Sequence, residues 1–215
     1  PIQSQEFGLA TAVATVFEDA EMDGILGLGL DSLSVGHVIT PVTNMKRQGL
    51  IPARRLGVLL SSSNASVLDF GFFDPTKYIG TLTTTPIIKT FGQAYLYYMI
   101  TFQGLSVGNV PFKSCDPSFP CDAMVDTGTS LIIGPPEYLD PIIQALNVSS
   151  DCSNYASLPT FHIRIAERVF PITKEIYVLQ DQGTCQVAMQ SFPRLQLPSW
   201  VFGDTFLRTV YAAID

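Results

Sequence analysis

Two short apolar segments that end in glycine recur in this sequence of 215 residues. The first lies in Asp23-Gly-Ile-Leu-Gly-Leu-Gly29 and the second in Trp200-Val-Phe-Gly-Asp204. A single Asp-Thr-Gly run, which begins at Asp126, lies between them. If each half of the fold needs one such loop followed by one apolar segment, the first half has its segment and lacks its loop. The order therefore predicts two similar lobes, with the missing loop placed before Pro1.

Short runs of β-branched and aromatic residues, separated by Gly, Pro, Asn and Ser, dominate the chain. They predict strands at residues 7–9, 55–60, 81–88, 96–102, 160–165 and 169–172. Helices are predicted at residues 38–47 and 136–146, the second because two prolines open it and apolar residues share one face. Strands and helices do not alternate, so the pattern predicts a mainly β fold.

The charge balance argues against nucleic acid as a partner. Lys and Arg number 12 against 19 Asp and Glu, which gives a net charge of −7. No basic stripe is available to neutralise phosphates, so nucleic acid is not expected as a partner.

No apolar run approaches the ~18 residues that a membrane span requires. Neither His37 nor His162 suggests a site, and His162 is expected to face solvent because Phe161 and Ile163 flank it on a strand.

The cysteines indicate disulfides better than they indicate a metal site. Four are present, at Cys115, Cys121, Cys152 and Cys185. One close pair suits Cys115–Cys121 and Cys152–Cys185, although four cysteines allow three pairings. Their spacing is unlike a zinc site, and no metal or cofactor is predicted. Glycosylation sequons at Asn64 and Asn147 agree with an oxidising, secretory route.

Asp126 has the surroundings that a catalytic carboxylate needs. Gly128 permits a tight turn that brings an N–H group close, while Thr129 and Ser130 supply hydroxyls. Apolar residues on both sides place this polar loop on buried strands. Two carboxyls about 3 Å apart share one proton, so one can act as base while the other acts as acid. The alternative is an ordinary hairpin, because Asp, Thr and Gly are common in turns.

The string from Ala123 to Pro135, Ala-Met-Val-Asp-Thr-Gly-Thr-Ser-Leu-Ile-Ile-Gly-Pro, resembles the second active-site loop of pepsin-like aspartic peptidases. The two apolar segments resemble the matching segments of that family, as do the stretch from Gly108 to Asp126 and the Cys152–Cys185 pair. This resemblance extends over essentially the whole chain. It implies a bilobal β fold, with residues 1–85 forming the remainder of the N-terminal lobe and the interlobe sheet, and residues 86–215 the C-terminal lobe.

The resemblance also implies a reaction and its residues. It implies an endopeptidase that cleaves between bulky apolar residues at acid pH, through a water molecule held by two aspartates. Asp126 would be the second aspartate, and Gly128 and Thr129 would bind the substrate backbone. Met124, Ile133 and Tyr97 would line subsites, although each could equally belong to the core. Secretion is the expected location, with the vacuole or lysosome as the alternative.

The sequence departs from the family by lacking the first Asp-Thr-Gly loop and the flap with its tyrosine. We therefore expect an N-terminal light chain of the same precursor to carry the other aspartate and the flap, and to stay attached through an apolar interface. Peptide or protein substrates and pepstatin-like inhibitors are the other expected partners.

Three other functions compete with this interpretation. A non-catalytic binding or inhibitory relative would have lost the unseen aspartate. A symmetric dimer of half-size subunits would need a shorter chain than this one. A glycosidase needs a second acid, and Asp204 fits better as a structural acid paired with Arg208.

Overall fold

The computed structural model describes residues 1–17, 22–61, 65–90, 94–193 and 200–215. Most of the regular structure in these ranges is β, as the sequence predicts. The strands are β1 (Leu56–Leu59), β2 (Val67–Phe70), β3 (Met99–Phe102), β4 (Leu105–Val107), β5 (Val110–Phe112), β6 (Cys121–Val125), β7 (Ile132–Gly134), β8 (Phe161–Ile165), β9 (Arg168–Ile172), β10 (Val178–Asp181), β11 (Thr184–Val187), β12 (Met189–Ser191), β13 (Trp200–Phe202) and β14 (Tyr211–Ile214). The helices are α1 (Pro41–Arg47), α2 (Pro136–Leu146), α3 (Lys174–Tyr177) and α4 (Asp204–Leu207).

Proline sets where both longer helices begin. Helix α2 has the predicted bounds, with Pro136 in its first turn, and Leu139 and Ile142 face the core. Helix α1 begins at Pro41 and not at residue 38. Thr40 has an extended backbone, because a residue that precedes proline is disfavoured from the helical conformation.

A mixed five-stranded sheet of order β12-β7-β13-β6-β3 forms the centre of residues 99–215. Strand β13 runs parallel to β6 and antiparallel to β7, so it lies between the two strands that flank the Asp126 loop. Trp200 and Phe202 of β13 are buried and pack against Phe102 of β3. This sheet therefore supports the Asp126 loop from both sides.

The rest of the main core lies between this sheet, helix α2 and a second sheet. The second sheet is antiparallel, with order β5-β4-β8-β9, and strands β10 and β11 form a separate hairpin. Leu105, Phe161 and Ile163 of the second sheet are fully buried in the same cluster as Leu139 and Ile142. Disulfides join Cys115 to Cys121 and Cys152 to Cys185, the pairing that the spacing suited.

A third sheet joins the last strand of the chain to strands β1 and β2. Its order is β14-β1-β2, and β14 pairs antiparallel with β1 from Leu56 opposite Ile214 to Leu59 opposite Tyr211. The Tyr211 hydroxyl donates to the buried Asp69 carboxylate at 2.8 Å and accepts from the Asp74 N–H at 3.2 Å. Burial raises the pKa of Tyr211 to about 12. The first part of the sequence is thus tied to the last strand.

The described part of residues 1–40 has no strand and is largely exposed. The predicted strand at residues 7–9 is therefore wrong, and Phe7 and Leu9 point into solvent. Strand formation needs a partner strand to complete its hydrogen bonds, and the described residues offer none beside this segment.

Two further predictions fail for local reasons. Residues 81–88 form no strand, because Pro86 lacks an N–H for a ladder and Ile88 makes only one bond, to Met99. His162 lies on β8 as predicted but is half-buried, and its Nδ1 is enclosed without a hydrogen-bond partner. No helix among the described residues is long and apolar enough to cross a membrane.

Candidate active site

Asp126 lies where β6 ends, one residue after Val125. Its backbone N–H donates to the carbonyl of Phe202 on β13 at 3.1 Å, and the N–H of Val125 donates to the carbonyl of Tyr98 at 2.9 Å. Bonds on both sides therefore fix the backbone at this point. The Asp126 side chain is half-buried, and Thr127 and Gly128 beyond it are exposed. The carboxylate is rigidly held and still accessible.

Two donors from its own loop bind the Asp126 carboxylate. The Gly128 N–H donates to Oδ1 at 2.9 Å, and the Thr129 hydroxyl donates to Oδ2 at 2.7 Å. A Cβ at position 128 would lie 3.2 Å from Oδ1, so glycine allows this close approach. Each carboxylate oxygen accepts one hydrogen bond, and further lone pairs remain for water.

The start of α4 holds the same loop from the other side. The N–H groups of Gly203 and Asp204 donate to the carbonyls of Leu131 and Thr129 at 3.2 and 2.8 Å. A side chain at Gly203 would overlap both of those carbonyl oxygens. The glycine of the second apolar segment is therefore required by this contact between two backbones.

Asp204 is the second carboxylate of this neighbourhood. Burial raises its pKa, the charge of Arg208 opposes that rise, and the charge of Asp126 adds to it. Arg208 and Asp204 do not form an ion pair within 4 Å, since the described residues contain such pairs only at Asp31 and Asp215. The predicted pairing of Asp204 with Arg208 is thus wrong as an ion pair, because Arg208 acts only through its charge.

Met124 and Ile133 lie on one face of the five-stranded sheet. Met124 is opposite Val201 on β13, and Ile133 is opposite the same residue from β7. Ala123 and Ile132, their neighbours in sequence, belong to the core cluster, so Met124 and Ile133 point to the other face. Both are half-buried.

Tyr97 lies just before β3 and is half-buried. Its carbonyl accepts a hydrogen bond from Met99 at 2.9 Å, and its neighbour Tyr98 bonds to Val125 as described above. Tyr97 therefore lies on the chain segment that runs beside the end of β6.

The first apolar segment is attached to this area by two contacts. The Tyr98 hydroxyl donates to the carbonyl of Leu28 at 2.8 Å, and the Ser32 hydroxyl donates to the carbonyl of Tyr95. The apolar side chains of that segment, Ile25 and Leu26, are nevertheless 80% and 62% exposed. The first segment is thus held near the chain before β3, but its apolar side chains are not packed there.

The remaining predicted residues lie away from Asp126. Asn147 ends α2 in the left-handed conformation and is exposed. Asn64 lies outside the described residues. In the described ranges, no group of three or more His, Cys, Asp or Glu side chains could hold a metal ion.

Sequence reasoning missed the residues of α4 that hold the loop. Asp204 was interpreted only as a structural acid, and Thr205 was not singled out. The only signal in the sequence is their position, since they follow directly after the second apolar segment. A hydrogen bond between residues 75 positions apart leaves no periodic pattern that could reveal it.

Comparison with known proteins adds a family to this geometry. A family model described as "Eukaryotic aspartyl protease" matches residues 1–215. Gastricsin of Mus musculus is 33% identical over 229 residues, which cover 100% of this chain and 57% of that protein. Cathepsin E of Mus musculus is 33% identical over 233 residues, with 100% and 56% covered. Gastricsin of Homo sapiens is 30% identical, with 100% and 57% covered. The chain thus spans a little over half the length of these relatives.

Proposed function

The chain belongs to the eukaryotic aspartyl protease family, and from this premise we propose that it carries Asp126 as one of the two catalytic aspartates of an acid endopeptidase. The observation that carries the proposal is the Asp126 carboxylate, which accepts one hydrogen bond on each oxygen from Gly128 and Thr129. An ordinary hairpin would not require a second chain segment at Gly203 and Asp204 to hold it from behind.

The proposed reaction uses water as the nucleophile. With a second carboxylate about 3 Å away, the pair would share one proton and titrate as a unit. The ionised member takes a proton from water as the water attacks the peptide carbonyl, and the protonated member donates to the carbonyl oxygen. The proton taken from water then passes from its carboxyl group to the leaving nitrogen as the C–N bond breaks, and a hydroxyl of the tetrahedral intermediate returns its proton to the other carboxylate. Asp126 alone cannot perform both roles.

We propose that an N-terminal light chain of the same precursor supplies the other aspartate and the flap. The support is the apolar surface of residues 1–39, where large side chains such as Phe7, Leu9, Ile25 and Val35 are exposed. Many exposed apolar side chains in one region of a chain are typical of an interface. A partner that buries it would have the apolar character of a permanent complex.

We further propose that substrates are peptides or proteins with bulky apolar residues around the cleaved bond. Gly128 and Thr129 would bind the substrate backbone, while Met124, Ile133 and Tyr97 would line apolar subsites. Met124 and Ile133 support this role by lying on the sheet face opposite the core. Pepstatin-like inhibitors would occupy the same cleft.

An oxidising compartment is the proposed location, either outside the cell or in a vacuole or lysosome. The two disulfides support it, since such bonds persist where thiols are not kept reduced. Asn147 is the better supported glycan site because it is exposed at the end of α2. Asn64 is proposed from its sequon alone.

The test compares wild type with Asp126→Asn, each together with the proposed light chain. Wild type should cleave haemoglobin at about pH 3 to 5, where one carboxyl of such a dyad is protonated, and a pepstatin-like inhibitor should stop it. Asp126→Asn should lose about 10²- to 10⁴-fold in kcat. Asp116→Asn is the matched control, because its side-chain oxygen can still accept from Ser118 and Phe119.

Three results would contradict parts of this proposal. Equal activity of wild type and Asp126→Asn would remove Asp126 from the mechanism. A wild type that binds peptides without cleaving them would favour a non-catalytic binding module. Native mass spectrometry tests the partner, and a species of 23.4 kDa alone would contradict it.

A further inference from the structure

Thr205 binds the loop after Asp126 with its side chain as well as its backbone. The carbonyl oxygen of Ser130 accepts the Thr205 N–H at 3.1 Å and the Thr205 hydroxyl at 3.0 Å. Thr205 is 4% exposed, so water cannot readily replace this hydroxyl. One buried residue therefore supplies two donors to a single carbonyl, which is all that its two lone pairs can accept.

The Ser130 carbonyl is connected to the Asp126 carboxylate through its neighbour Thr129. Ser130 follows Thr129, whose hydroxyl donates to Asp126 Oδ2 at 2.7 Å. The Thr129 carbonyl is itself held by the Asp204 N–H at 2.8 Å. Asp204 and Thr205 therefore fix both consecutive carbonyls, and with them the direction of the Thr129 side chain. A small rotation of this segment would move the Thr129 hydroxyl away from the carboxylate.

From this geometry we propose that Thr205 is a positioning residue for the peptidase reaction, acting through Ser130 and Thr129 to keep a donor on Asp126. The inference rests on the proposed function and assigns Thr205 no contact with substrate or water. Valine would occupy the same volume, but it would leave the Ser130 carbonyl with one donor. The orientation of catalytic groups is sensitive to shifts of this size.

The test uses the complete enzyme, with the part that carries the second aspartate, in the variants Thr205→Val and Thr205→Ser. Thr205→Val should lower kcat about three- to ten-fold with KM nearly unchanged, the loss expected for one neutral hydrogen bond. The acidic limb of the pH–kcat profile should move to higher pH, because the ionised carboxylate loses support from a donor. Thr205→Ser keeps the hydroxyl and should restore both values.

Thr209→Val is the matched control. The Thr209 hydroxyl donates to the carbonyl of Phe206 at 2.7 Å, so it makes the same type of bond just after α4 but away from the Asp126 loop. Its kcat and pH profile should equal those of wild type. Identical behaviour of Thr205→Val and Thr209→Val would show that the Thr205 bond is only structural and would overturn the proposal.

A measurement independent of activity separates this inference from the proposed function. Hydrogen exchange of the amides at residues 128–131 should be faster in Thr205→Val than in Thr209→Val, when both are compared under conditions that keep them folded. Unchanged exchange would overturn the positioning role. An inactive wild type would overturn the proposed function, and with it any catalytic meaning of faster exchange in Thr205→Val.

Discussion

The two apolar segments that end in glycine share a sequence pattern and differ in everything that surrounds them. Val201 and Phe202 are 4% and 0% exposed on β13, between β6 and β7. Ile25 and Leu26 are mostly exposed and belong to no strand. The second segment has an Asp-Thr-Gly loop and its flanking strands to pack against. The first has none among the described residues.

The same contrast extends to the regions that contain the segments. The described part of residues 1–39 exposes ten large apolar side chains, whereas the much longer region 99–215 exposes six. An apolar sequence is therefore not enough for burial. The segment also needs neighbouring chain that packs against it. The first region therefore has the exposed apolar side chains that the proposed interface requires, and paired substitutions in the two regions test this difference.

The largest contrast is expected between Phe202→Ala and Leu26→Ala. Phe202 is enclosed by Phe102 and Phe206, so its truncation should cost about 3–5 kcal/mol of unfolding free energy. Leu26→Ala should change the chain alone by less than about 0.5 kcal/mol. Urea unfolding of both variants checks this.

Leu26→Ala, which should hardly change the stability of the chain alone, should have a clear effect on binding. Leu26→Ala should weaken association with the proposed light chain about ten-fold or more, because the partner would bury this exposed side chain. A titration with the purified light chain measures the affinity. Unchanged affinity would show that the exposed segment is not part of the interface.

The glycines of the two segments give the next largest effect. Gly203→Ala should destabilise by about 1–3 kcal/mol, because the new methyl group would overlap the carbonyl oxygens of Thr129 and Leu131. Gly27→Ala should be close to neutral in the chain alone, since nothing lies within 4 Å of the added Cβ. Thermal unfolding compares the two. Equal losses would contradict the difference in environment.

A smaller effect should follow from Asp204, the carboxylate of the packed region. Its pKa is raised above 3.8, chiefly by burial, so the folded state binds the proton more tightly than the unfolded state. The stability linked to Asp204 is therefore fully present below 3.8 and lost as pH rises through the raised pKa. Asp204→Asn should flatten this part of the curve of unfolding free energy against pH. Parallel curves for the variant and wild type would contradict the expectation.

Asp31 should give the smallest effect, with the opposite sign. Burial acts to raise its pKa, but hydrogen bonds from Thr40 and Thr43 and the charge of Arg54 outweigh it, and the pKa lies below 3.8. The linked stability is present above 3.8 and lost as pH falls through the lowered pKa. Asp31→Asn should reduce the fall in melting temperature on acidification. The effect should weaken in high salt, because the ion pair with Arg54 is exposed.

The sequence predicted what depends on local order. Helix α2 has both predicted bounds, because Pro135 and Pro136 set its start and a 3.6-residue apolar period follows directly in the sequence. The Asp126 loop was found because its turn chemistry is contiguous. The strand predicted at residues 7–9 failed because pairing depends on a partner strand, which the described residues do not place beside it. Thr205 was missed for the same reason, since its bond to Ser130 joins separate segments.

Strand β14 can join its sheet only late in the synthesis of the chain. It completes a sheet whose other two strands are made far earlier, and its Tyr211 reaches Asp69 across 142 positions of sequence. A ribosome must therefore synthesise nearly all of this chain before β1 acquires its second neighbour. Contacts of such long range slow folding, because the intervening loop loses entropy before the contacts form. Until then one edge of β1 stays open, and a chaperone that shields it during synthesis would protect the nascent protein from aggregation.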